Sequence, residues 1–273
     1  MGLKSLPQWV NNMKRYLRIY KAIIKINSAH ILAYRANFIN NLFSSFIWGV
    51  FNIVWIGLLT NKATQVFGWR REELVMIAVG YVLLTGVYYS IFSHSFEIFS
   101  RTIDRGELDS LLLKPLDSQF QVSMMHISYS SLIRTILGTG FLIWWIVSHN
   151  YSIGLFQIVS YILLIGIGVC MMYAVWFLFL TLLIWYPNLG NMVEFLYTIN
   201  GFARYPTEML KKSGSVLLLI FIPVSLIVST PVKALLQKNA GGDVFLLVGI
   251  SIVLVGLSRM FWKFALKHYT SAS

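Results

Sequence analysis

His94 and Glu97 stand three residues apart, a spacing that puts both on one face of a helix, and His126 supplies a third donor type downstream. Three such donors are what a catalytic zinc site takes. All three also sit where apolar sequence gives way to polar, and polar side chains at a membrane boundary need no metal to explain them, which is the reading adopted here. No serine stands with a base and an orienting acid, so nucleophilic hydrolysis has no candidate set. No glycine is followed directly by lysine, so the phosphate-cradling loop of nucleotide hydrolases is missing. The expectation is a chain that is not an enzyme and carries no cofactor or metal of its own. Two charges, Arg134 and Glu194, fall inside apolar sequence, where charges are functional candidates by default. They can pair with each other or reach separately for the interface.

The densest group of chemically capable side chains is a charged island, residues 101–117, reading RTIDRGELDSLLLKPLD. An apolar run over 74–99 precedes it and another, ending near 147, follows. Two membrane-length runs joined by a short, helix-prone connector make a hairpin whose tip can receive a signal or mechanical work from outside the membrane.

The rest of the sequence must position these groups, and it is built for lipid. Of 273 residues, 57% are hydrophobic and 12% charged, against about 25% charged in soluble domains; mean hydropathy is +0.70. Runs of about 20 apolar residues, enough to cross about 30 Å of hydrocarbon, recur along the chain. They are continuous rather than alternating, so the spans are helices and not barrel strands. The start lacks the apolar core and small cleavage-site residues of a signal peptide, and Leu6 stands where a myristoylation signal wants Ser or Thr. Cys170, mid-span, is the one cysteine and needs no redox role. The net charge of +12 does not point to nucleic acid. Lys4, Lys14, Arg15, Lys21 and Lys25 precede the first span, while Arg259, Lys263 and Lys267 close the last, as expected for cytoplasmic flanks touching anionic lipid.

Residues 9–35 read as an interfacial helix: Met13, Leu17, Tyr20 and Ile24 make an apolar stripe beside a basic one of Lys14, Arg18, Lys21 and Lys25. Spans follow at about 38–59, 74–99, 126–147 and 155–185, and a last one at 244–262. Between the last two the chain is broken. Pro187, Pro206, Pro223 and Pro231, four of six prolines, gather there, and 216–229 is apolar but short, a length typical of a re-entrant segment. Interrupted segments of this kind often line a transport path. If the broken region crosses once, both termini share a side, and charge places them inside. Arg204, Lys211, Lys212, Lys233 and Lys238 then fall outside, against the positive-inside rule. Making 216–236 the fifth crossing moves three of them back in, so pattern alone leaves both versions open.

Two blocks carry a family resemblance. Arg105-Gly106-Glu107-Leu108-Asp109-Ser110-Leu111-Leu112-Leu113-Lys114-Pro115-Leu116 matches an R-G-x-L-D-x-L-L-x-x-P-L pattern, and Phe202-Ala203-Arg204-Tyr205-Pro206 matches a later F-A-R-Y-P. With the span layout, these make nearly the whole chain resemble the permeases of ABC-2-type exporters, within a bacterial subgroup. Lys211-Lys212 departs from it, standing where neutral or aromatic residues are more usual.

The resemblance implies an all-α polytopic fold with an N-terminal amphipathic interfacial helix (1–36) and a six-span domain (37–273). It also implies a cytoplasmic coupling helix between spans 2 and 3 (about 101–117) and re-entrant helices between spans 5 and 6 on the outer face (about 205–240). Residues 191–204 become span 5 and 216–236 the gate, with a bend near Pro223 and both Ser215 and Asn239 outside. The implied function is export across the bacterial cytoplasmic membrane, driven by a separate ATPase present in two copies, to which ATP and magnesium belong. A second permease chain, identical or related, completes the complex. Both termini are cytoplasmic. Asp104, Arg105, Gly106, Glu107, Asp109, Lys114 and Pro115 would form the ATPase-coupling surface, with Leu111 and Leu112 as apolar anchors. Arg204, Tyr205, Pro206, Pro223 and Pro231 would form the outer gate. An ion-coupled secondary transporter is the competing class; it needs titratable groups mid-membrane, which spans 1, 2 and 4 lack at their centres.

Overall fold

The computed structural model describes residues 8–60, 65–187, 189, 191–211 and 218–269. Among these, one small hairpin, β1 (Gln65–Val66) and β2 (Trp69–Arg70), is the only sheet. The helices are α1 (Gln8–Ala33), α2 (Arg35–Leu59), α3 (Arg71–Tyr88), α4 (His94–Asp104), α5 (Leu108–Leu112), α6 (Ser118–Met124), α7 (Leu132–Ser148), α8 (Leu155–Thr181), α9 (Met192–Asn200), α10 (Thr207–Lys211), α11 (Leu218–Leu235) and α12 (Gly241–Lys267). A π turn, Tyr89–Ser93, joins α3 to α4 without a break in the rod. Five segments are long and apolar enough to cross a membrane: Arg35–Leu59, Arg71–Asp104, Tyr129–Ser148, Leu155–Ile184 and Gly241–Lys267. The protein is an all-α polytopic membrane protein.

The α3–α4 rod is the centre of the bundle, and α2, α7, α8 and α11 pack around it. Its crossing with α7 is close because both helices present glycine there. A Cβ on Gly138 would lie 2.8 Å from the Leu83 backbone, and one on Gly86 only 2.4 Å from the Thr135 nitrogen. Small residues at such crossings let backbones approach in a solvent where burial alone does not drive association.

The expected fifth span is short. α9 and the 3-10 turn Gly201–Arg204 after it rise about 20 Å, two-thirds of the hydrocarbon core. Three polar contacts trace its course. Tyr197 donates to Glu97 near one end of the rod at 2.7 Å, and Arg204 donates to Asn52 of α2 at 2.9 Å. Trp69, just before the rod's other end, donates to Glu208 at 2.8 Å. The chain climbs the length of the rod in short pieces, α9, the 3-10 turn and α10.

α11 differs from the sequence expectation. It runs as one helix with both prolines inside it, where two helices joined near Pro223 were expected. Pro231 has no N–H for the Ile227 carbonyl four residues back, but that carbonyl lies against Gly168 of α8, where an added Cβ would sit 3.0 Å away. Lys212, Ser215 and Val216, to which the gate reading also referred, lie outside the described residues.

Two faces emerge. At one, α1, the island and the end of α12 meet: Arg15 donates to the Pro115 carbonyl at 2.7 Å, the Asp117 N–H donates to the Tyr16 hydroxyl at 3.2 Å, and Arg259 pairs with Asp117 at 2.5 Å. At the other, Lys238 pairs with Glu73 at 2.5 Å, and Lys233 pairs with both Glu208 and Asp243. Two of the four lysines that count against the charge rule, Lys233 and Lys238, are therefore paired with carboxylates. On α1 the side chains of Leu17 and Ile24, two members of the apolar stripe, are exposed.

Candidate functional site: a polar cleft in the bundle and the charged island

A cavity of about 740 Å³ opens between α2, the α3–α4 rod, the start of α7 and α9. Its walls are polar although the helices that build it are apolar overall. α2 contributes Asn41, Ser45, Gly49 and Asn52, which recur at helical spacing and so share one face. The rod contributes Tyr81, Thr85, Tyr89, Ser93 and Glu97, each four residues after the last.

Two cations enter this cleft. Arg134 of α7 lies over the Tyr89 ring at 5.3 Å. Arg204 donates to the Asn52 side-chain oxygen at 2.9 Å and lies 5.4 Å from the Tyr205 ring centre. The Nε of each is buried without an acceptor. Tyr81, which is buried, lines the same cavity as both guanidiniums. Glu97 is already engaged, accepting from Tyr197 at 2.7 Å and facing His94 at 3.5 Å. Glu194 lines the same cleft. The structure thus brings Arg134 and Glu194 to one cavity, yet no ion pair joins them among the described residues. Arg204, expected at an outer gate, faces into the cleft instead. Of the other gate residues, Pro206 is buried, Tyr205 stays beside Arg204, and Pro223 and Pro231 lie within α11.

His94 and His126 meet edge to face at 5.8 Å. Burial, with the charges of His94, Lys114 and His30 added, pushes the His126 imidazole below its ordinary value. Among the described residues no three His, Cys, Asp or Glu side chains are grouped to hold a metal ion.

The island is two short helices rather than one. α4 ends at Asp104, Gly106 turns the chain at φ +70°, where a side chain is disfavoured, and α5 follows. It ends ahead of Pro115, and Asp117 caps α6 by accepting from the Phe120 N–H at 3.0 Å. Asp104, Arg105, Gly106, Glu107, Lys114 and Pro115 are exposed. Leu111 and Leu112 are half-buried against the core, and Asp109 bonds the Tyr269 hydroxyl. The exposed apolar side chain is Leu113, at 85%, which the sequence reading passed over because all three leucines look alike in a short helix. Behind the tip, Asp117 bonds Arg259, and Trp262 donates to Ser118 at 3.0 Å. Burial alone would raise the Asp117 carboxyl, but the bonds and charge of Arg259 and the backbone N–H groups of Phe120 and Gln119 hold it below its usual range.

Neither a curated protein nor a solved structure matches the chain. A family model does match, that of the ABC-2 family transporter proteins, over residues 46–273. That stretch holds every crossing but the first part of α2, together with the island and most of the cleft. The chain belongs to the ABC-2 family of transporter proteins.

Proposed function

We propose that this chain is the permease subunit of an ATP-driven exporter in a bacterial cytoplasmic membrane, with both termini inside. Two permease chains pair, and two copies of a separate ATPase dock beneath them and supply the ATP and magnesium chemistry. The observation that carries this reading is the construction of the island. It presents an exposed tip of Asp104, Arg105, Glu107 and Leu113, while its rear is bonded to α1 through Arg15 and Tyr16 and to α12 through Arg259. A loop with no work to do needs no such anchorage. An element that receives a push and passes it on does, because displacement of the tip must move the spans instead of bending the connector. Closure of the ATPase pair on ATP would lift the islands, and α4 and α12 would carry that motion to the cleft.

The test is purification of the tagged chain from its native membrane. An ATPase subunit should co-purify, and reconstituted vesicles should show ATP-dependent transport that Glu107→Arg abolishes. Transport by the chain alone, driven by an imposed proton or sodium gradient, would reject this reading in favour of an ion-coupled carrier.

A further inference from the structure

We infer that the cleft binds an anionic group, a phosphate or carboxylate, between Arg134 and Arg204. The inference rests on the permease reading only in treating the cleft as part of a transport path; the binding itself is a property of this chain.

An arginine cannot shed its charge in a protein, so a guanidinium placed in a membrane must find a counter-charge or water. Among the described residues Arg134 has an aromatic face and no hydrogen-bond acceptor, and Arg204 has one neutral acceptor, Asn52. In both, Nε is shielded from solvent and unbonded. Glu97, an acid in the same lining, is turned toward Tyr197 and His94. Glu194 lines the cavity, and no ion pair joins it to either arginine among the described residues. Two planar donors lining one space of about 740 Å³ suit a group with several acceptor oxygens, since guanidinium binds phosphate and carboxylate through paired parallel hydrogen bonds. The hydroxyls of Ser45, Tyr89 and Ser131 around them add donors for the remaining oxygens. The cavity is of the size that takes a small molecule or a lipid headgroup whole. The same chemistry is offered by the headgroup of an anionic lipid and by a soluble organic anion.

Full-length protein in detergent, with its ATPase retained, separates these. Native mass spectrometry measures retention of dioleoylphosphatidylglycerol against dioleoylphosphatidylcholine, and thermal unfolding is followed with inorganic pyrophosphate. We expect one arm to show selective binding: phosphatidylglycerol held about tenfold more tightly than phosphatidylcholine, or stabilisation by pyrophosphate, the first assigning a lipid and the second a soluble anion. In either arm the selectivity should vanish in Arg134→Gln/Arg204→Gln and persist in part in Arg134→Lys/Arg204→Lys, which also serves should the glutamine variant fold poorly. Glu194→Gln should leave the selectivity in place or strengthen it. Absence of selectivity in both arms, or selectivity unchanged by the glutamine variant, overturns the assignment. Because ATPase co-purification is scored on the same samples, loss of anion selectivity with the ATPase still bound removes the ligand and leaves the permease, and the converse removes the permease and leaves the ligand.

Discussion

Asp117 and Arg259 are 142 residues apart, yet the carboxylate accepts from both terminal guanidinium nitrogens, at 3.1 and 2.5 Å. This forked bond joins the base of the island to the last span. Bidentate pairs of this kind fix orientation as well as distance, so the island and α12 should move as one piece. We predict that Asp117→Asn or Arg259→Gln leaves the ATPase bound but lowers transport per ATP hydrolysed several-fold, and that Asp117→Arg/Arg259→Asp recovers part of the loss. Coupling ratios in reconstituted vesicles measure this. An unchanged ratio in both single variants would show that α12 is not driven through this bond.

The same pair gives an acid dependence. The folded Asp117 carboxyl titrates below its ordinary value of 3.8, so the folded state holds the proton less well than the unfolded chain. Its contribution to stability is fully present above about pH 4 and is lost as pH falls through the lowered folded value. Thermal unfolding of the wild type should therefore lose more on going from pH 5 to about pH 3 than that of Asp117→Asn, which has no such proton to take up.

The island and the long spans are legible in the sequence because lipid demands continuous apolar runs, and a charged connector interrupts them sharply. The cleft is only partly legible. Arg134 and Glu194 stand out as isolated charges, but nothing in the sequence says that Arg204 faces them and not the outer surface. That orientation depends on the 3-10 turn and on the acceptor at Asn52. A signal was present in span 1, where Asn41, Ser45, Gly49 and Asn52 interrupt an apolar helix on one face; an attention to charge alone passes over it. The positive-inside conflict was legible, but what relieves part of it was not, for another reason. Counting treats Lys233 and Lys238 as free charges, whereas Glu208, Asp243 and Glu73 reach them from distant or separate elements.

The crossing of α3 with α7 should be intolerant of any side chain. Gly138→Ala places a carbon 2.7 Å from Leu83 Cβ and 2.8 Å from its backbone, and overpacking of this kind costs about 1–3 kcal/mol. Gly256→Ala on α12, where a Cβ would meet nothing within 4 Å, is the matched control and should be neutral or slightly stabilising by helix propensity. Thermal unfolding of the two purified variants in one detergent compares them directly. Equal midpoints would mean that the two helices are free to separate.

At the island tip, Glu107→Arg and Leu113→Asp should weaken ATPase binding about tenfold or more while leaving the unfolding midpoint unchanged. Both side chains are exposed and support nothing in the fold, and surface changes away from structural contacts cost little stability. Reversing a charge or removing an apolar anchor at a docking surface, by contrast, is expensive to association. Asp109 is less suited to the test than the sequence suggested, because its bond to Tyr269 makes a binding loss hard to separate from a local packing loss. Titration of detergent-purified variants with the ATPase decides the matter, and wild-type affinity in both would place the contact elsewhere.

The two faces of the bundle should be chemically distinguishable. Lys238 is tied to Glu73 and to the Gly68 carbonyl at 3.3 Å, beyond the start of the α3–α4 rod, so its neighbour Asn239 belongs to the face opposite the island. The rod from Arg71 to Asp104 has 34 residues and rises about 50 Å at about 1.5 Å per residue, more than the thickness of the hydrocarbon core, so its ends lie in different aqueous phases. In a Cys170→Ala background, Asn239→Cys should react with a membrane-impermeant maleimide added to intact cells, and Glu107→Cys should react only after permeabilisation. The opposite pattern would invert the protein and put the island outside, where no ATP is available to drive it. Labelling of both from the same side would mean that the chain between α8 and α12 does not complete its crossing through α9 and α10, and the path traced by Tyr197, Arg204 and Glu208 along the rod would have to be abandoned.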